Sequence, residues 1–212
     1  TEIYTLSLHD ALPICLPAPG EETSGSIAII SWLLGDVSDV DERLLYQFLG
    51  ELLLGHEGSP LARALVDSQI GEDLAPVNGS QSGLREGVFS VSLRGVPQER
   101  IGEFEELVFS TLQKLVSEGI SAKDIQATLS RIEFSNREIQ RAGGPYSLVH
   151  MNRSYAAWLH GRHPSSTLRV QPALARLRQR LAQNEGFLEE QIKKLFLENS
   201  HHAFIEVQGK KG

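Results

Sequence analysis

A chain of 212 residues with 41% hydrophobic and 22% charged side chains has the composition of an ordinary globular protein, neither disordered nor fibrous. Its 27 acidic against 20 basic residues give a formal net charge of −7, the opposite of the basic stripe that a nucleic-acid interface needs. It holds no run of about 18 apolar residues to cross a membrane, and a single cysteine, Cys15, excludes an internal disulfide framework or a cysteine-rich zinc site.

Residues 1–14, TEIYTLSLHDALPI, resemble the conceptual translation of a sequencing-library adapter. They fit no targeting class, because they lack Lys and Arg and carry Glu2 and Asp10. The expectation is that natural sequence begins near Cys15, with more of the protein upstream. Residues 15–25, CLPAPGEETSG, read as a loop leading into the fold.

Ser26 to Leu34 is apolar at both alternating sets of positions, which predicts a strand buried on both faces. Asp36 and Asp39 offer oxygens to free backbone N–H groups at a helix start. The helix carries Val40, Leu44, Leu45, Phe48, Leu49, Leu52 and Leu53, and stops at Gly55. Ser59-Pro60 predicts a second helix, capped by Ser59 and ending at Gly71. Residues 72–86 read as a weak strand and a turn. In Gly87 to Leu93, Phe89, Val91 and Leu93 alternate with Ser90 and Ser92, which predicts a strand with one buried face.

Gly95-Val96-Pro97 turns into a helix bearing Ile101, Phe104, Leu107, Val108, Leu112, Leu115 and Val116, closed by Gly119. Ser121 and Asp124 have the capping-box spacing at the start of the next helix. Its apolar stripe is Ile125, Leu129, Ile132 and Ile139, and Gly143-Gly144-Pro145 breaks it. A helix from Tyr146 to about His160, two short helices near 172–183 and 186–198, and a strand from Ala203 to Val207 complete the order. Strands and helices are segregated, which predicts an α+β class with an antiparallel or mixed sheet packed against several helices. The expected organisation is one domain over residues 26–208 and a tail at 209–212.

Several stretches carry a family resemblance. TSGSIAIISWLLGDVSD, GSPLARALVDSQIG, GVFSVSLRGV, IEFSNRE (Ile132–Glu138) and MNRSYAAWLHGRHP resemble, in order and spacing, one domain of a pitrilysin/insulinase-type zinc peptidase of the presequence-protease branch. The similarity spans about residues 23 to 207. It implies a clamshell enzyme of two halves, each of two α+β domains, that encloses unfolded peptides. It also implies a zinc ion in the first domain, held by H-x-x-E-H and a downstream Glu, whose motif Glu activates the metal-bound water.

None of the seven histidines here (His9, His56, His150, His160, His163, His201, His202) opens that motif. The resemblance is therefore to the second, non-catalytic domain, and no catalytic, cofactor-binding or metal-binding residue of the family carries over. The implied function is part of a chamber wall in a zinc-dependent peptide-degrading endopeptidase. The expected partners are the catalytic zinc domain and the second half of the same parent chain, with no nucleic acid or membrane among them. Zinc belongs to the parent, with no cofactor in this fragment. The alternative is a non-catalytic partner subunit or peptide-binding module of the same superfamily. The compartment that suits best is a bacterial cytoplasm, with an organelle matrix as the other.

Other candidates weigh less. His160 and His163 have a ligand spacing, but Gly161 and Pro164 interrupt the helix there. His201 and His202 would point to opposite faces of a strand. Gly79 to Gly83, GSQSG, lacks the central Ser of a nucleophile elbow, because Gln81 stands there. Glu133, Arg137 and Glu138 suit either helix-surface ion pairs or a neighbouring domain. Arg176, Arg178 and Arg180 read as a solvated helix face, and Trp32 and Trp158 as core or interface filling.

Overall fold

Two eleven-residue strands, β2 (Ser26–Asp36) and β5 (Glu86–Val96), form the middle of the sheet in the computed structural model. The model describes residues 16–17, 26–81, 83–138 and 145–210. The adapter-like segment, Ile139, the Gly143-Gly144 break and nearly all of the lead-in loop lie outside the described residues. The two strands pair antiparallel from Ser26↔Val96 to Asp36↔Glu86. On the far edge of β2 runs β6 (His202–Val207), antiparallel, with Trp32 opposite His202. The short strands β3 (Asp73–Leu74) and β4 (Gly79–Gln81) both pair with β5, which gives the order β3-β5-β2-β6 with β4 also on β5. Leu16–Pro17 (β1) and Gly209–Lys210 (β7) form a separate parallel pair.

The helices are α1 (Val40–Leu54), α2 (Pro60–Asp67), α3 (Ile101–Glu118), α4 (Ala122–Arg137), α5 (Tyr146–Trp158), α6 (Val170–Gln183) and α7 (Phe187–Ile192). The chain is thus α+β, with an antiparallel sheet and one helical layer. The helices pack on the sheet face bearing Ala28, Ile30, Trp32, Phe89, Val91 and Leu93. The densest part of that core is aromatic. Trp32 meets the Phe196 ring edge-on at 5.4 Å, and Phe89 lies 4.7 Å from the same ring. A π-helical turn at Lys193–Leu197 carries Phe196, whose carbonyl accepts the Trp32 indole N–H at 2.9 Å.

Several local expectations change in the fold. The strand predicted to be buried on both faces, β2, buries one: Ile27, Ile29 and Ser31 are half-buried and Leu33 is 41% exposed. Conversely β5, predicted to show its serines to solvent, buries Ser90 and Ser92. Ser90 Oγ hydrogen-bonds Ser31 Oγ across the ladder at 2.8 Å. Ser92 Oγ donates to the Val77 carbonyl at 2.6 Å, and Ser92 N donates to Asn78 Oδ1 at 2.7 Å. Polar residues enter the interior here because their hydrogen bonds are made there.

Of the four predicted caps, Asp39 acts as one, its Oδ1 accepting from Asp41 N at 2.8 Å and Glu42 N at 3.3 Å, while Asp36 Oδ1 accepts from Ser38 N in the turn before the helix. Ser59 and Ser121 sit at the cap positions without a side-chain cap bond. Ser59 Oγ turns instead to the end of α1, accepting from His56 N and donating to the Glu51 carbonyl. The second helix ends at Asp67, before Gly71. Gly71 serves a close approach: a Cβ there would lie 2.6 Å from the Arg94 carbonyl of β5. α4 likewise ends at Arg137, with Glu138 extended, two residues short of the predicted stripe.

Candidate interdomain surface

Among the described histidines, the side chains of four have local partners. His56 Nδ1 accepts from Gly58 N, His150 meets Tyr146 edge-on, and His163 Nδ1 bonds Ser165 Oγ in the turn after α5. His202 bonds the Asn199 carbonyl through Nδ1. Among the described residues no three His, Cys, Asp or Glu side chains converge as metal ligands. The donor set of a zinc site is therefore not assembled by these residues. Gly79–Gln81 of the GSQSG segment form β4, and Ser82 lies outside the described residues.

Within IEFSNRE, Glu133 makes two ion pairs. Its carboxylate pairs with Arg137 one turn on, at 2.6 Å, and with Arg178 of α6. The Arg178 hydrogen bond, with the nearby Arg137 charge, holds Glu133 below the ordinary carboxylate range. Of the two readings for this segment, Glu133 makes helix-surface ion pairs inside the domain, with Arg137 within α4 and with Arg178 across to α6. Phe134 on the same helix points outward, 65% exposed. Arg176 pairs with Asp41 of α1 through both Nε and Nη2, so two of the three arginines of α6 bridge helices and do not stand free.

α5 is different in kind. Its one fully buried side chain is Ala157, and the helix meets the rest of the domain chiefly through the turn Ser166–Leu168. Leu148, Val149, Met151, Tyr155 and Trp158 are all exposed, Trp158 at 61%, followed by Leu159. Tyr155 and Trp158 lie nearly parallel, at 6° between rings. Large apolar groups gathered on one exposed surface mark a contact with another body. Trp32 thus fills the core while Trp158 stands on the surface, a division that residue type could not make.

Residues 13–132 match the model of the Peptidase M16 inactive domain, more than half of the chain. The chain belongs to the Peptidase M16 inactive-domain family. Presequence protease 1, chloroplastic/mitochondrial, of Arabidopsis thaliana is 34% identical over 182 residues, covering 84% of this chain. The mitochondrial presequence protease of Mus musculus is 30% identical over 179 residues. The chain spans 17% of the length of each. Among solved structures, the inactive peptidase domain of a Bordetella parapertussis protein shares the fold, with a TM-score of 0.65 and 14% identity over 93% of this chain and 96% of that one.

The M16 inactive domain therefore accounts for the α+β architecture and for the family resemblance read from the sequence. Sequence reasoning missed that α5 is left uncovered. The available signal was Leu148, Met151, Tyr155 and Trp158 at three- and four-residue steps on one face of that helix. No helix among the described residues is long and apolar enough to cross a membrane.

Proposed function

We propose that residues 26–208 form a non-catalytic wall domain of a zinc-dependent endopeptidase that degrades unfolded peptides. In this reading the domain packs beside a catalytic domain of the same parent chain and helps exclude folded substrates by size. The observation that carries the reading is the exposed face of α5, read together with the presequence proteases among its relatives. A helix with one buried side chain gains little from its own domain, whereas burying each large apolar side chain contributes about 1.5–3 kcal/mol. Covering Leu148, Tyr155 and Trp158 with a neighbouring domain supplies that. In this reading zinc and the water-activating carboxylate belong to that neighbour. The compartment we propose is a bacterial cytoplasm or an organelle matrix.

The test has two arms. The purified chain, incubated with an unstructured peptide and added zinc, is expected to cleave nothing, and hydrolysis that a chelator abolishes would overturn the reading. Sequencing the gene upstream of the Cys15 codon is expected to find an in-frame domain bearing H-x-x-E-H. A degraded motif there would assign the chain to the non-catalytic partner subunits instead.

A further inference from the structure

Arginines in this acidic protein are mostly matched. Arg63, Arg85, Arg94, Arg100, Arg131, Arg137, Arg176 and Arg178 each sit within ion-pair distance of a carboxylate. Among the described residues, Arg43, Arg153, Arg162, Arg169 and Arg180 have no such partner; Arg180 lies over the Phe187 ring, and the other four lie where α5, the turn Ser166–Leu168 and the start of α6 meet α1. Arg43 Nη2 donates to the Thr167 carbonyl at 3.1 Å, and Thr167 Oγ1 donates to the Arg153 carbonyl. Arg153 Nη1 donates to Asn136 Oδ1 at 3.3 Å. Arg162 Nε donates to Ser38 Oγ.

A cavity of about 320 Å³ opens at this corner. Arg153 and Arg169 are its charged lining, beside His150, Asn136, Val170 and Gln171, and no Asp or Glu among the described residues lines it. α6 begins at its rim with no acidic residue in the first turn and no side-chain cap, so the positive end of the helix adds to the arginines. Burial, and then the charge of the nearby Arg153, hold the Arg43 guanidinium below its ordinary range. Most arginines elsewhere have a carboxylate; here Arg153 and Arg169 line a hollow within the size range of small-molecule pockets, roughly 300–1,000 Å³.

We propose that this cavity is an oxyanion-binding site, taking a carboxylate or phosphate group between Arg153, Arg169 and the first turn of α6. A planar guanidinium offers paired N–H donors to two oxygens of either group, which a hydrated ammonium does not. The cavity exceeds a bare ion, so the group arrives on a small molecule or a peptide end. This assignment uses none of the exposed α5 apolar surface and stands apart from the wall-domain reading.

The probes are inorganic phosphate, and N-acetyl-dialanine with a free or an amidated C-terminus. Each is titrated into the isotopically labelled 212-residue chain. Saturable shifts are expected at the Val170 and Gln171 amides and the Arg153 and Arg169 side-chain N–H signals. Arg169→Gln, at an exposed position without a hydrogen bond in the fold, should weaken binding by about tenfold or more, the loss of a charge-assisted pair. Arg63→Gln, paired elsewhere with Asp67, should leave it unchanged. A response to phosphate alone assigns the site to phosphate groups, and a response to the free carboxyl but not its amide assigns it to peptide ends. No saturable shift with either probe, or shifts that Arg169→Gln leaves intact, overturns the proposal.

Discussion

Trp32 sits opposite Phe89 on one side and His202 on the other, with Phe196 against its ring and its N–H on the Phe196 carbonyl. It is the side chain through which strand, sheet edge and C-terminal turn are fastened together. Trp32→Ala removes a large fully buried ring and should destabilise the chain by about 3–5 kcal/mol, read as a lower urea midpoint. Trp32→Phe keeps an aromatic ring but leaves the buried carbonyl without its donor, and should cost less, about 1–3 kcal/mol. At this scale the sequence was partly legible. Asp39 was read as a cap and is one. Ser59 and Ser121 were not legible, because a hydroxyl at a cap position can bond elsewhere, and Ser59 is drawn to Glu51 across the turn.

Among the elements, the α4–α6 pair shows how charge supplements a thin apolar contact. α4 buries Thr128, Leu129 and Ile132, and Glu133 follows directly with Arg178 across the gap. Glu133's carboxyl is depressed below its ordinary value of 4.5 in the fold. The sign follows: the unfolded chain binds this proton more readily, so the stabilisation is full above pH 4.5 and is lost as pH falls through the lower folded value. Glu133→Gln should therefore lower the Tm at pH 7, and the gap to the unmodified chain should narrow as pH falls below 4.5. A gap that does not change with pH would mean Glu133 acts through packing instead. α6 itself was read as solvated along its arginines. Arg176 and Arg178 instead reach Asp41 and Glu133, partners 135 and 45 residues away that no window along the sequence could supply.

For the whole molecule, the decisive feature is what remains uncovered. Exposed apolar side chains run along α5, and exposed apolar surface of this kind drives association. The isolated chain should self-associate reversibly, with sedimentation rising with concentration. Changing Leu148 and Trp158 together to Ser should leave it monomeric with a Tm close to that of the unmodified chain, since neither side chain is buried. Retained association in that variant would place the interface elsewhere. A fall in Tm of more than a few degrees, about 1 kcal/mol at this size, would show that α5 packs within the domain.

By itself the sequence determined the α+β class, the order of elements and the family, because hydrophobic period and turn residues act over a few positions and are written locally. It also showed that the H-x-x-E-H ligands are missing, a matter of residue identity alone. Only the tertiary structure decided which strand faces are covered, that Trp32 is interior while Trp158 is bare, and that unpaired arginines meet around one hollow. Those outcomes depend on which distant segments come together, and burial and charge balance are properties of that assembly, not of any stretch of chain.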